Sequence, residues 1–207
     1  MSSMDKTKKV FTQLISFSIN NLLVQIFLFL LVAFLIWSAW DMLRPKTSSV
    51  ADTALSNAII YFERGDFDNA VLQLESVVDD HKGTSSANQA KFYLGRTAFI
   101  NGNHDKAIVL LSECAAKLDH SILKKEAYIM LGQLDSDLDI ALNFFDKAKN
   151  SALSENEITY ISILKAKRLA MEGKKAEALE ILDKIDTENN TYKELFEEVY
   201  GVALTLN

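Results

Sequence analysis

The chain has 207 residues, 49% of them hydrophobic, enough for one domain of moderate size plus accessories. Its 22 basic and 28 acidic residues give a net charge of −6, and residues 41–207 hold all but three of the basic groups and all but one of the acidic groups. So acidic a field disfavours phosphate-rich partners and lends no support to nucleic-acid binding, while a single cysteine, Cys114, excludes an internal disulfide.

Residues 1–21 read as a short tail. In it Val10, Phe11, Leu14, Ile15 and Phe17 recur at helical spacing, either as an extension of the next helix or as a stretch along a membrane interface. No charged residue occurs from Val10 to Trp40, and within that run Leu22–Trp40 has only Gln25 and Ser38 as polar members. As a helix this stretch is roughly 28 Å long, close to the hydrocarbon thickness of a bilayer. Thirteen of its residues are Leu, Ile, Phe or Val, which favours insertion by about 4–8 kcal/mol. Trp37 and Trp40 suit the far interface. The run exceeds an ordinary signal-peptide core and has no small-x-small site directly behind it, so an uncleaved signal-anchor is expected over 22–40. Lys6, Lys8 and Lys9 before it, against Arg44 and Lys46 after it, place the N-terminus in the cytoplasm and the bulk of the chain outside. Pro45, the single proline, stops the helix and opens a polar linker over 41–50.

From residue 51 onward the pattern becomes helix pairs. The first is Ala51–Arg64 with Phe67–Asp80, turned by Gly65-Asp66; the second is Ser85–Asn101 with His104–Lys117, turned by Gly102-Asn103. In the second pair Phe92, Tyr93, Leu94, Phe99 and Ile100, then Ile108, Leu110, Leu111 and Cys114, follow the 3.6-residue period. Gly65 and Gly102 are 37 residues apart, and Gly102 and Gly173 are 71 apart, a period typical of stacked helical hairpins. The third pair is irregular: Gly132 precedes Ala141 by nine residues where Gly95 precedes Ala107 by twelve, so three residues are missing from the turn. The fourth pair is Glu155–Glu172 with Lys175–Ile185, turned by Gly173. A last helix, Thr191–Leu206, is expected to cap the stack.

Tyr61, Gly65, Phe67 and Ala70 in the first hairpin, and Leu94, Gly95, Gly102 and Ala107 in the second, resemble the tetratricopeptide repeat. Small residues on the first helices (Gly95, Gly132, Ala166) and on the second helices (Ala70, Ala107, Ala141, Ala178) would let paired helices approach closely. The usual proline between repeats is replaced by Lys82 and Asp119. The expected fold class is therefore all-α: one N-terminal transmembrane helix, then a tetratricopeptide-like solenoid of about four repeats over 51–207 with a C-terminal capping helix. The whole arrangement is similar to the YfgM-type ancillary subunits of the SecYEG translocon. That resemblance implies a bacterial inner-membrane protein with a periplasmic repeat domain, and translocon subunits, periplasmic chaperones or exported clients as partners. The first two hairpins also resemble the periplasmic repeat domains of envelope-assembly proteins, so a structural or self-associating scaffold stays open.

The chemistry-bearing motifs are few. Asp135-x-Asp137-x-Asp139 with Asp146 matches part of a calcium loop, yet Ile140 stands where the sharp turn wants glycine. A short acidic turn that favours the next helix N-terminus is the competing reading. His81, His104 and His120 are too scattered to serve as zinc ligands, and Cys114 falls on the hairpin core face. Neither a phosphate loop nor a nucleophile elbow occurs. The expectation is a binding protein with no cofactor and no enzymatic role. In such stacks the first helices line the concave face, and the repeat frame puts Leu55, Ile59, Phe62, Phe92, Arg96, Phe99, Tyr160 and Lys167 there, as an apolar groove with a few charges for a partner's peptide or helix.

Overall fold

The computed structural model describes residues 8, 9, 12, 22–43, 49–186 and 191–205. Two compact units divide the chain, Met1–Arg44 and Pro45–Asn207. Val10, Phe11, Leu14, Ile15 and Phe17 of the expected tail and Pro45 of the expected linker lie outside the described residues.

The first unit holds α1, Leu22–Leu43. Its described side chains run from Val24 to Trp40, and the large apolar ones from Ile26 to Trp40 are exposed. Among the described residues no helix is long and apolar enough to cross a membrane. The span expected over Leu22–Trp40 thus falls on a helix, and its crossing of a membrane remains a proposal.

The second unit consists of nine further α-helices among the described residues: α2 (Ser49–Glu63), α3 (Phe67–Asp80), α4 (Ser85–Ile100), α5 (His104–Cys114), α6 (Ser121–Leu134), α7 (Leu138–Asn150), α8 (Glu155–Met171), α9 (Lys175–Leu182) and α10 (Lys193–Thr205). Side-chain caps start several of them: the oxygens of Asp66, Thr84, Asn103, Asp137 and Ser154 each accept from the backbone N–H three residues on, at 3.1–3.4 Å.

Helices α2/α3, α4/α5, α6/α7 and α8/α9 form four antiparallel hairpins, and α10 packs on both helices of the last. The layers are unequal. Each first helix touches the next, α2 on α4, α4 on α6, α6 on α8 and α8 on α10, whereas the backbones of the second helices α3, α5, α7 and α9 stay apart, α3 and α5 being joined by the Glu75–Lys106 ion pair at 3.6 Å. A stack closed along one layer and splayed along the other curves, and its inner face is made by the first helices.

Close approach within hairpins rests on small residues. Ala70, Ala107, Ala141 and Ala178 on the second helices, with Ala58 and Ala166 on the first, are fully buried. At Gly95 a Cβ would lie 2.8 Å from the Leu111 side chain, so the α4/α5 contact uses the missing methyl. The turn after α4 is a Schellman motif: Gly102 has φ +72, its N–H donates to the Phe99 carbonyl at 3.0 Å, and the Asn103 N–H reaches the Ala98 carbonyl at 2.8 Å. Asn103 then caps α5, so one dipeptide ends a helix and starts the next.

The third hairpin departs from the sequence reading in an informative way. Its connection, Asp135–Asp137, has three residues, as many as Asn101–Asn103 between α4 and α5. The missing residues come out of the end of α6, which stops two residues after Gly132, while α4 continues for five after Gly95. Counted from the frame glycines, the C-terminal end of α6 therefore falls about 4.5 Å short of that of α4. No glycine is needed at its end because Asp135 is extended there (φ −63, ψ 129) and its carbonyl accepts from Arg168 Nη2 at 2.9 Å.

Candidate binding groove on the inner face

The 37-residue frame, extended through the third and fourth hairpins, sorts the first helices into rows. One row is Leu55, Phe92, Ile129 and Ile163; the next is Ile59, Arg96, Gln133 and Lys167. Every member of the first row is buried, from 0% exposed at Phe92 and Ile163 to 8% at Ile129. Leu55 and Phe92, expected in the groove, are thus core residues. Leu55 packs with Ala58, Ala70 and Leu74, and Phe92 with Ala107, Leu111 and Cys114. Both point between the helix layers, toward the hairpin partner. The second row carries the accessible side chains, although Ile59 packs against the N-terminal core.

Phe62, Arg96, Phe99, Tyr160 and Lys167 remain, all half-buried. The Phe62 ring lies edge-on to Tyr93, centroids 5.2 Å apart, and the Arg96 guanidinium sits 5.5 Å from its centroid, within cation–π range. Arg96, Phe99 and Tyr160 line one hollow of about 440 Å³, floored by Ile129 and Met130. Phe99 and Lys167 line a second, of about 330 Å³, with Phe145, Leu164 and Met171. Phe99 and Gln133 are walls of both. The structure therefore sets Arg96, Phe99, Tyr160 and Lys167 around two adjoining hollows with Phe62 beside Arg96, buries Leu55 and Phe92, and packs Ile59, like Phe62, partly against the N-terminal core.

Several lining residues escape the sequence reading. Gln133, Ile129 and Met130 belong to the hairpin whose frame is broken by the shortened helix. Tyr192, in the turn just before α10, meets Tyr160 with ring centroids 4.9 Å apart, and no repeat spacing predicts it. Arg168 follows Lys167 and is hidden by its neighbour. For Gln133 a signal is available, since the spacing from Arg96 to Gln133 is again 37.

The charges of this face are paired between successive first helices. Ser86 of α4 donates to Asp52 of α2, Arg96 of α4 meets Glu126 of α6 at 3.4 Å, Lys125 of α6 meets Glu157 of α8, and Lys167 of α8 meets Glu198 of α10 at 2.8 Å. Glu157 also accepts from the Leu153 N–H at 2.7 Å, and that bond together with Lys125 holds its carboxyl below the usual range. Burial raises the phenol pKa values of Tyr93 and Tyr160.

Asp135 Oδ1 accepts from the Asp137 N–H at 3.0 Å and Asp137 Oδ1 from the Ile140 N–H at 3.1 Å, so these aspartates turn onto backbone donors of the α6–α7 connection. No group of three metal-binding side chains occurs among the described residues. Cys114 is buried, its thiol pushed up to about 12 chiefly by burial, which makes it an inert filler.

No family model matches the chain, and no curated protein matches it. Among solved structures it is similar to a thermophilic TPR protein of Thermus thermophilus, at 17% identity and a TM-score of 0.47, over 75% of this chain and 87% of that one.

Proposed function

We propose that this chain is a non-catalytic, membrane-anchored scaffold whose repeat domain grips a segment of another protein along the inner face of α4, α6 and α8. The observation that carries this reading is the track from Phe62 to Lys167. It sets half-buried aromatic groups and two adjoining hollows on a rigid inner layer, while the titratable groups beside them are engaged in bridges between helices. Aromatic anchors in pockets ringed by satisfied polar groups suit recognition of a polypeptide.

The anchor is the apolar run Leu22–Trp40, two residues longer than the stretch of α1 with described side chains. A helix apolar on all sides and exposed on all sides is supported as a bilayer span by its composition. The lysines before it favour a cytoplasmic N-terminus and a periplasmic repeat domain at the bacterial inner membrane. In its most concrete form the scaffold is an ancillary translocon subunit that passes exported proteins to periplasmic chaperones, a role that rests on the order of tail, span, linker and repeats.

The test is photo-crosslinking in cells from a probe at Ile100, an exposed rim residue, with the buried Phe92 as control. Adducts with envelope proteins from Ile100 and none from Phe92 are expected, with Sec components copurifying in detergent. Envelope-assembly factors or a second copy of the chain in those adducts would favour the assembly-scaffold reading. An Ile100 probe that captures nothing sinks both.

A further inference from the structure

The second hollow has a definite origin. Since α6 stops three residues early relative to α4, the position equivalent to Phe99 in the third repeat falls on Ser136, beyond the helix end. Phe99 of α4 and Lys167, Arg168 and Met171 of α8 therefore face each other across the gap, with Phe145 and Leu164 behind. Of the charged residues that line it, Lys167 and Arg168 are both basic and none is a carboxylate; His104 and Gln133 complete the polar wall. Their partners Glu198 and Glu172 are not among the lining residues. The Arg168 Nε is the one buried side-chain nitrogen or oxygen without a hydrogen-bond partner among the described residues, while Nη1 and Nη2 are held by Glu172 and the Asp135 carbonyl.

Charge is segregated on the same plan. Helices α4, α6 and α8 carry seven basic and three acidic residues, whereas the outer helices α3, α5, α7 and α9 carry four basic and ten acidic. Two of the three inner acids, Glu126 and Glu157, are engaged by Arg96 and Lys125. Helix α2 departs from the pattern, with Asp52 and Glu63 and no base, so the cationic stretch begins at α4. Lys91 and Lys165 of that count bridge outward to Glu113 and Asp146, so the basic excess that reaches the hollow itself is Lys167 and Arg168.

We infer that the hollow at the shortened end of α6 is an anchor site for an acidic segment of a partner protein, in which one large apolar side chain is flanked by carboxylates. The apolar side chain enters between Phe99, Phe145, Leu164 and Met171, and the carboxylates lie against Lys167 and Arg168. This rests on the reading of the inner face as protein-binding and adds the chemistry of the occupant. Charge complementarity of this kind selects partners and speeds encounter more than it tightens the final complex.

The experiment uses the full chain in nanodiscs and fluorescent peptides of alternating glutamate and alanine with one central phenylalanine. Companion peptides replace glutamate by lysine, or the phenylalanine by alanine. The acidic phenylalanine peptide is expected to bind at least ~10-fold more tightly than the lysine peptide, a gap that narrows as salt rises. Lys167→Glu should weaken it about tenfold and improve the lysine peptide, and Met171→Glu, at a largely exposed site, should weaken it as well with thermal melting unchanged. Acidic and basic peptides bound equally well, both lost with Phe99→Ala, would overturn the acidic preference and leave the protein-binding face standing. Binding that ignores Phe99→Ala, Lys167→Glu and Met171→Glu alike would overturn both.

Discussion

Two glycines on this chain predict opposite outcomes for the same substitution. Gly102 has φ +72 with open space around it, so an added methyl meets no neighbour and the cost is backbone strain alone. Gly102→Ala is expected to lose about 1 kcal/mol or more. Gly201 lies inside α10 without positive φ and also has nothing within 4 Å of an added Cβ. Gly201→Ala should therefore gain roughly 0.5–1 kcal/mol through helix propensity. Urea melts of the two variants decide it; shifts of the same sign would show that one helix boundary is drawn wrongly. Cys114 makes a second test at this scale. Its thiol, ordinarily near 9.0, is pushed to about 12 by burial, so labelling at neutral pH should be slow in the folded protein and fast in denaturant. Because the folded value is the higher one, the thiol's contribution to stability is intact below pH 9 and is lost as pH climbs toward 12. Cys114→Ala should flatten part of that alkaline decline, the rest belonging to Tyr93, Tyr128 and Tyr160, whose values are raised in the same direction. Rapid native labelling would show the thiol to be accessible.

Individual elements differ in how far their sequence reveals them. Helix α3 begins and ends at the residues its periodicity marks, because Asp66 caps it and the polar stretch after Asp80 ends it. The second helix of the next pair runs to Cys114 rather than Lys117, where a 3-10 turn takes over, a local change of pitch that leaves no mark in apolar spacing. The shortening of α6 is visible as a count of nine against twelve, but a count cannot say whether helix or connection is trimmed. Packing decides it, since Arg168 of α8 reaches the Asp135 carbonyl and holds the early end. The same limit governs the groove. Leu55 and Phe92 share a frame position with each other as Phe62 and Phe99 do, and periodicity alone cannot tell which row faces the hairpin partner. Between elements, the Lys125–Glu157 bridge yields an asymmetric prediction. Glu157→Ala strands Lys125, which is 9% exposed, and should cost about 2–3 kcal/mol. Lys125→Met keeps the apolar stem and leaves Glu157 its bond from Leu153 N–H, so its cost should stay within about 1 kcal/mol. Glu157 has a depressed pKa, so its stabilisation is present above the unfolded carboxyl value and fades as pH falls through the folded one. Glu157→Gln should accordingly blunt acid unfolding. Equal losses for Glu157→Ala and Lys125→Met would refute the asymmetry.

The repeat unit as a whole is a chain of nearest-neighbour contacts, and that determines how damage spreads. The backbones of α2 and α3 approach nothing beyond α4, with the Glu75–Lys106 ion pair the further link from α3 to α5, while the backbone of α9 approaches only α8 and α10. In such an array stability is a sum of local hairpin terms and interface terms, so loss at one end need not reach the other. Val199 and Ala203 of α10 close a core with Leu182, Ala178, Leu169 and Ile163. Removing residues 187–207 uncovers that core and leaves α9 with one neighbour. Helix α8 keeps Ile161 and Leu164 against Phe145, so its first half stays anchored while its second half, with Lys167, Arg168 and Met171, loses support. Hydrogen exchange on the truncated protein should therefore show protection collapsing in α9 and the end of α8, with α2–α5 unchanged. Since the second hollow takes a wall from that end of α8, partner binding there should vanish while the N-terminal hairpins still melt cooperatively. Protection lost evenly from α2 to α9 would mean that the stack folds as one unit, and the cap would then support the whole solenoid rather than the groove at its end.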